Sequence, residues 1–189
     1  MSHRCMRGWI RKRCSSVATQ IKVWDIFIRV SHWTLVVATV LAYFSHGGLL
    51  TLHRIAGYTV IALVVARIAW GFIGGTYARF VNFVPTPTGL ARYLGLLLRH
   101  REPRTLGHTA AGGAMIVLLL IMLLAIGGTG WVLDSPAYRD YRPLSALHDG
   151  LSDVLMVLIA VHIAGVLHAS WRHTENLIAA MITGRKSRR

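Results

Sequence analysis

Four stretches of this chain are long and apolar enough to cross a bilayer: Val23–Phe44, about Leu52–Phe72, about Thr109–Leu133 and about Leu147–Ala169. A hydrocarbon layer of ~30 Å takes about 20 residues of helix, each rising ~1.5 Å. Within that layer every backbone polar group must be paired inside the protein, so each stretch has to be a helix. Four helices use roughly 80 residues of the 189 and leave about half the chain for loops and tails. Composition sharpens this. The chain is 54% hydrophobic and only 15% charged, against about 25% charged in a soluble domain. Its net charge is nevertheless +14, from 21 Lys and Arg against 7 Asp and Glu. An apolar interior with basic residues crowded on one membrane face reconciles the two. Collagen-like, disulfide-stapled and disordered classes are excluded by the same figures.

The basic residues are not spread evenly. Sixteen of the 21 fall in three segments: the tail before the first span, the loop after the second, and the tail after the fourth. The loop Ser45–Thr51 has none, and in the loop after the third span Arg139 and Arg142 are balanced by Asp134 and Asp140. By the positive-inside rule both termini and the middle loop are cytoplasmic. The expected fold is therefore an all-α integral membrane protein, an antiparallel four-helix transmembrane bundle with N-in/C-in topology. Because the basic patches fall where topology wants them, no nucleic-acid partner is expected.

Residues 1–22 form a basic cytoplasmic extension, and residues 23–189 form the membrane domain with a short cytoplasmic tail. The extension lacks the apolar core of a signal peptide. Cys5 and Cys14 form no CxxC pair, and no CxxCH occurs, so covalent c-type haem is not indicated. Trp24, Trp70, Trp131 and Trp171 sit at span ends, the place of an aromatic belt. The loop Gly74–Gly107 is expected to hold a short surface helix around Leu90–Leu98.

An ionisable side chain inside a span is costly and marks function by default. His148 and His162 are 14 residues apart on the fourth span. That is close to four turns, so both rings share one face, ~21 Å apart along the axis. His32 lies on the inner part of the first span, and His53 opens the second from the outer side. Depth pairs His32 with His162 and His53 with His148. Two stacked pairs of imidazoles on different helices are what two non-covalent haem b groups need, because haem iron takes axial ligands from opposite faces. His46 is also 14 residues after His32, but its Ser-His-Gly-Gly setting lies just past the helix, which favours His53. Propionates need cations. Arg67 follows His53 by 14 residues, on the same face at the inner depth. Arg29, beside His32, and Arg54, beside His53, are further partners, with a lipid-phosphate contact as the alternative for each. Gly57 and Gly165 stand about one turn from ligands, and Gly112 one turn from His108, where they leave room for a flat group or a neighbouring helix.

Together these residues resemble the bacterial cytochrome b561 and Ni,Fe-hydrogenase b-type cytochrome superfamily. The likeness runs from about Val23 to Arg189. Its carriers are Val-Trp-Asp-Ile-Phe-Ile-Arg-Val-Ser-His-Trp (Val23–Trp33), Leu-His-Arg-Ile-Ala-Gly-Tyr (Leu52–Tyr58) and Ala-Arg-Ile-Ala-Trp-Gly-Phe (Ala66–Phe72). Leu-Gly-His-Thr-Ala-Ala-Gly-Gly (Leu106–Gly113), Leu-His-Asp-Gly-Leu-Ser-Asp (Leu147–Asp153) and Val-His-Ile-Ala-Gly-Val (Val161–Val166) continue it. His173–Lys186 is similar to the family's tail. The resemblance implies a respiratory-chain electron carrier of the bacterial inner membrane. It supports His53 over His46.

The function so implied is electron transfer between the quinone pool and a redox partner, a periplasmic c-type cytochrome or a membrane-associated oxidoreductase. Quinone would be an exchangeable substrate, and the inner-end His108 and His168 are candidates to exchange its protons. Bis-imidazole ligation leaves no open iron position, so oxygen activation at iron is not expected. An enzymatic alternative is a superoxide oxidase that passes electrons to ubiquinone, but the outer loops lack a basic steering patch. Another alternative is a haem-free metal or proton transporter built on the same histidines. It is disfavoured because only Asp25, Asp149 and Asp153 approach the spans.

Overall fold

The computed structural model describes residues 20–45, 48–99, 101, 109–172 and 174–187. Its elements are β1 (Gln20–Lys22), α1 (Ile26–Ser45), α2 (Leu50–Ile73), a 3-10 turn (Phe80–Asn82), α3 (Pro87–Leu98), α4 (Ala110–Asp134), α5 (Arg142–Arg172), α6 (Leu177–Thr183) and β2 (Arg185–Ser187). Helices α1, α2, α4 and α5 are long and apolar enough to cross a membrane. They are the four stretches read from the sequence, and the protein is an all-α membrane bundle. Cys5, Cys14, His46 and His108 lie outside the described residues.

Helix α1 packs on α2, α2 on α4, and α4 on α5. All four contribute to one core: Ala38 from α1, Val60 and the fully buried Val64 from α2, Leu120 and Leu123 from α4, and Leu155 from α5. The circuit is not closed evenly. Contact between α1 and α5 is sparse among the described residues, and α5 buries the smallest share of its apolar stretch of the four. We call the end that carries β1, β2 and α6 the base, and the opposite end the top.

The base is knitted from both ends of the chain. β1 pairs antiparallel with β2, with Ile21 opposite Lys186. Gly184, at φ 79°, ends α6 in the left-handed conformation that glycine adopts without a Cβ penalty. Its carbonyl then accepts from the amides of Val23 and Trp24 at 2.9 and 3.2 Å. Asp25 starts α1: its Oδ1 accepts from the Ile28 amide at 2.8 Å, as an N-cap does. Its Oδ2 accepts from the Trp70 indole of α2 at 3.0 Å. Val23, Trp24, Ile28 and Ala78 form a second buried cluster around these bonds, with Trp70, Tyr77 and Met181 against it. Trp24 is thus packed inside the base rather than displayed in an aromatic belt, whereas Trp131 and Trp171 are exposed.

Several boundaries differ from the sequence reading. Helix α5 begins before Leu147 and runs past Ala169. Hydropathy marks only the part of a helix in hydrocarbon, while the backbone ladder continues through the headgroup layer, where Arg142 and Arg172 reach water. The surface helix starts at Pro87 rather than Leu90. Thr86 caps it by accepting from the Gly89 amide at 3.1 Å, and proline suits the first helical position. Neither α6 nor the strand pair has a long apolar signature, so neither was read from the sequence. Asn176 is the cap of α6, accepting from the Ala179 amide at 2.8 Å.

Two glycines make a paired test of this packing. A Cβ at Gly113 would run into the carbonyl of Phe83, whereas one at Gly128 meets nothing within 4 Å. Gly113→Ala should therefore cost roughly 1–3 kcal/mol through overpacking against backbone. It should lower the thermal midpoint in detergent, and Gly128→Ala should leave that midpoint unchanged.

Candidate cofactor site

The antiparallel arrangement brings the intramembrane histidines together in two groups. At the top, His53 of α2 faces His148 of α5, with ring centroids 6.1 Å apart and planes at 73°. At the base, His32 of α1 interacts electrostatically with His162 of α5. The top pair is thus in ring contact, and His32 and His162 lie within electrostatic range of each other. Among the described residues no group of three or more His, Cys, Asp or Glu is positioned to hold a metal ion; the imidazoles come in twos.

Hydrogen bonds decide what the top pair can do. The Nδ1 of His53 lies 2.8 Å from the carbonyl of Ala42 on α1. A carbonyl can only accept, so Nδ1 carries the proton and Nε2 keeps its lone pair. The Nδ1 of His148 lies 2.9 Å from the hydroxyl of Thr129 on α4. That hydroxyl donates its own hydrogen to the helix carbonyls of Ala125 and Ile126, at 3.0 and 2.9 Å. It is left to accept, and His148 too is held as the Nδ1–H tautomer. Both rings therefore present a free Nε2. Close approach makes this geometry reachable: a Cβ at Gly130 would sit 3.0 Å from His148 Cε1.

The base site is built differently. The Nδ1 of His32 is buried and has no hydrogen-bond partner, and so are Nη1 of Arg67 and Nε of Arg29. Arg67 lies against the Phe80 and Phe83 rings, its Cζ at 5.3 and 5.9 Å from their centroids, and donates from Nη2 to the Ala78 carbonyl at 3.3 Å. Arg29 donates from Nη2 to the Ile182 carbonyl, which ties α1 to α6. Each guanidinium is held in place yet keeps an unspent buried donor. Buried donors in this state are uncommon and call for a partner.

The remaining candidates are placed as follows. Arg54 does not point free: its Nε is 2.8 Å from Asp134, which also accepts from the Tyr58 hydroxyl at 2.8 Å. Asp153 accepts from the Tyr43 hydroxyl at 3.4 Å and so links α5 to α1. Thr129 orients His148. His168 is exposed on the lower part of α5. A Cβ at Gly57 or at Gly165 would meet nothing within 4 Å, so helix packing does not demand either glycine. Gly112 donates its amide to the Thr109 cap of α4 at 3.0 Å. Thr129, Asp134 and the Ala42 carbonyl were not singled out from the sequence. The one signal for Thr129 is a hydroxyl inside an apolar run, in the small-residue setting Gly-Gly-Thr-Gly.

A membrane four-helix bundle that presents paired imidazoles from different helices at two depths has the donor set of the membrane b-type cytochromes. The chain belongs to the prokaryotic cytochrome b561 family, whose model matches residues 23–184. It is accordingly a bacterial membrane b-type cytochrome of electron transfer. No curated protein and no solved structure matches the chain significantly.

The residues fit the haem that the family implies. The top pair offers two neutral imidazoles with their lone pairs free, and the base offers His32 and His162 together with two arginines that each keep an unspent buried donor. If Arg67 serves a propionate and not the fold, Arg67→Met should keep the helical content and thermal midpoint of the protein. Methionine keeps an unbranched stem against Phe80 and Phe83, and relief of the guanidinium's desolvation offsets the one hydrogen bond lost to Ala78. The haem retained per chain after purification should fall. A collapse of helicity with haem content would assign Arg67 to packing instead.

Proposed function

We propose that the protein is a dihaem b-type cytochrome that carries electrons between the quinone pool and a redox partner protein. The observation that carries this reading is the tautomer lock at the top: Ala42 and Thr129 commit both Nδ1 atoms, so that both Nε2 atoms would be available to hold haem iron. His53 and His148 would hold one haem. His32 and His162 would hold the second, ~21 Å away along α5 as the 14-residue interval measures it. When bound, each haem supplies a reversible one-electron iron couple. The work of the chain is to place and tune these groups. Arg67 and Arg29 would pair with propionates at the base, and Arg54 would share its guanidinium between Asp134 and a propionate at the top.

The rest of the assignment follows from charge and position. The base is assigned to the cytoplasm and the top to the periplasm, with the protein in the inner membrane. The basic residues 1–22 precede the membrane domain of residues 23–189 as a cytoplasmic extension. Quinone is assigned to the base, where His168 of α5 is exposed and His108 precedes α4. The partner, a periplasmic c-type cytochrome or a membrane-associated oxidoreductase, is assigned to the top. The pairwise grouping of imidazoles favours this reading over a metal transporter, whose ion would need more donors than two.

The purified protein should show the reducible spectrum of a bis-imidazole haem and contain two haems per chain. His53→Ala should remove one of the two, whereas His46→Ala should retain both. One haem in the unmodified protein, or loss with His46→Ala alone, would refute the ligand assignment. Topology has its own check. In inverted inner-membrane vesicles Cys5 and Cys14 should react with a membrane-impermeant thiol reagent, and in right-side-out vesicles they should not. The opposite pattern would turn the protein over.

A further inference from the structure

The two sites differ in a way that reaches beyond haem binding. At the top both imidazoles have an acceptor on Nδ1–H: the Ala42 carbonyl at 2.8 Å and the Thr129 hydroxyl at 2.9 Å. Ile126 adds a backbone interaction with the His148 ring. At the base the Nδ1 of His32 is buried and unpartnered. An acceptor on the distal nitrogen makes an imidazole more basic and a stronger donor to iron. A stronger donor favours the oxidised metal.

The charges run the same way. At the top the cation Arg54 is neutralised by Asp134 at 2.8 Å, and Asp153 stands on α5 in contact with Tyr43. At the base Arg67 and Arg29 each keep a buried donor without a partner; Asp25, the carboxylate that acts on Arg67, accepts from the Ile28 amide and the Trp70 indole and offsets one of the two positive charges. Net positive charge near a redox centre favours the reduced form, because reduction adds a negative charge beside it. Both effects favour the reduced state at the base and the oxidised state at the top.

We propose that Thr129 is a positioning residue that lowers the potential of the top site by accepting from His148 Nδ1–H. The inference rests on the two-site reading above. Its local basis is that Thr129 spends its only hydrogen on the helix carbonyls of α4, the usual back-bond of a helical threonine. The hydroxyl therefore faces His148 as an acceptor.

The test is a spectroelectrochemical titration of the haem-loaded full-length protein. The unmodified protein should titrate in two one-electron waves. Thr129→Val keeps the shape of the side chain and removes the acceptor. It should raise the lower wave, by up to about 59 mV for a tenfold change in the one-electron equilibrium, and leave the upper wave in place. Thr129→Ser should restore the original value. Two retained haems with neither wave moved, or a shift confined to the upper wave, would overturn the proposal. If Thr129→Val loses one haem, restoration by serine supports the role of the hydroxyl, and failure of serine to restore it overturns that role. A single haem in the unmodified protein would instead be the failure of the two-site reading.

Discussion

An imidazole placed inside a membrane span can be partnered only by the protein or a bound group, because hydrocarbon offers neither a donor nor an acceptor. Much of this structure is arranged around that requirement. His53 and His148 each spend one nitrogen on the protein and keep the other. The acceptors that make this possible come from helices that do not carry the rings: the Ala42 carbonyl lies on α1 and the Thr129 hydroxyl on α4. The order of packing, α1 on α2 and α4 on α5, therefore has a chemical consequence. Each helix that bears a histidine at the top leans on a neighbour that fixes its tautomer.

The base solves a different problem. There the chain must hold two arginines in or beside the membrane without neutralising them fully. Arg67 is braced by two phenylalanine rings and one carbonyl, and Arg29 by a carbonyl of α6. Such braces hold the guanidinium planes while leaving charge to be used. The strand pair, the left-handed Gly184 and the Asp25–Trp70 bond make the base rigid enough to do so. Asp25 serves two elements with its two oxygens, capping α1 and anchoring α2. The start of α1, and with it the depth of His32, is tied to the helix that carries Arg67.

Much of this was legible in the sequence, for reasons that can be named. Hydrocarbon imposes a length on each span, so hydropathy alone located four helices. The 14-residue interval between His148 and His162 is nearly a whole number of turns, so their common face could be read without a structure. The same arithmetic put Arg67 on the face of His53. What could not be read were contacts between residues far apart in the chain. The partnership of Arg54 with Asp134 spans two helices, and nothing in either local sequence distinguishes it from an arginine facing lipid phosphate. Trp24 carries the signature of a belt residue, and only the return of the C-terminal segment buries it. The strand pair is three residues on each side, too short for periodicity to register.

The sequence by itself determined that this is a membrane bundle, which helices cross, and which histidines share a depth. Those properties follow from the thickness of a bilayer and the pitch of a helix, and both act on consecutive residues. Only the tertiary structure decided which nitrogen of each top imidazole is free, which arginines keep unspent charge, and how the two ends differ. Those properties depend on which atom of one helix lies within hydrogen-bond reach of another. That is set by packing across the bundle, where glycines such as Gly130 allow an approach that no stretch of sequence states.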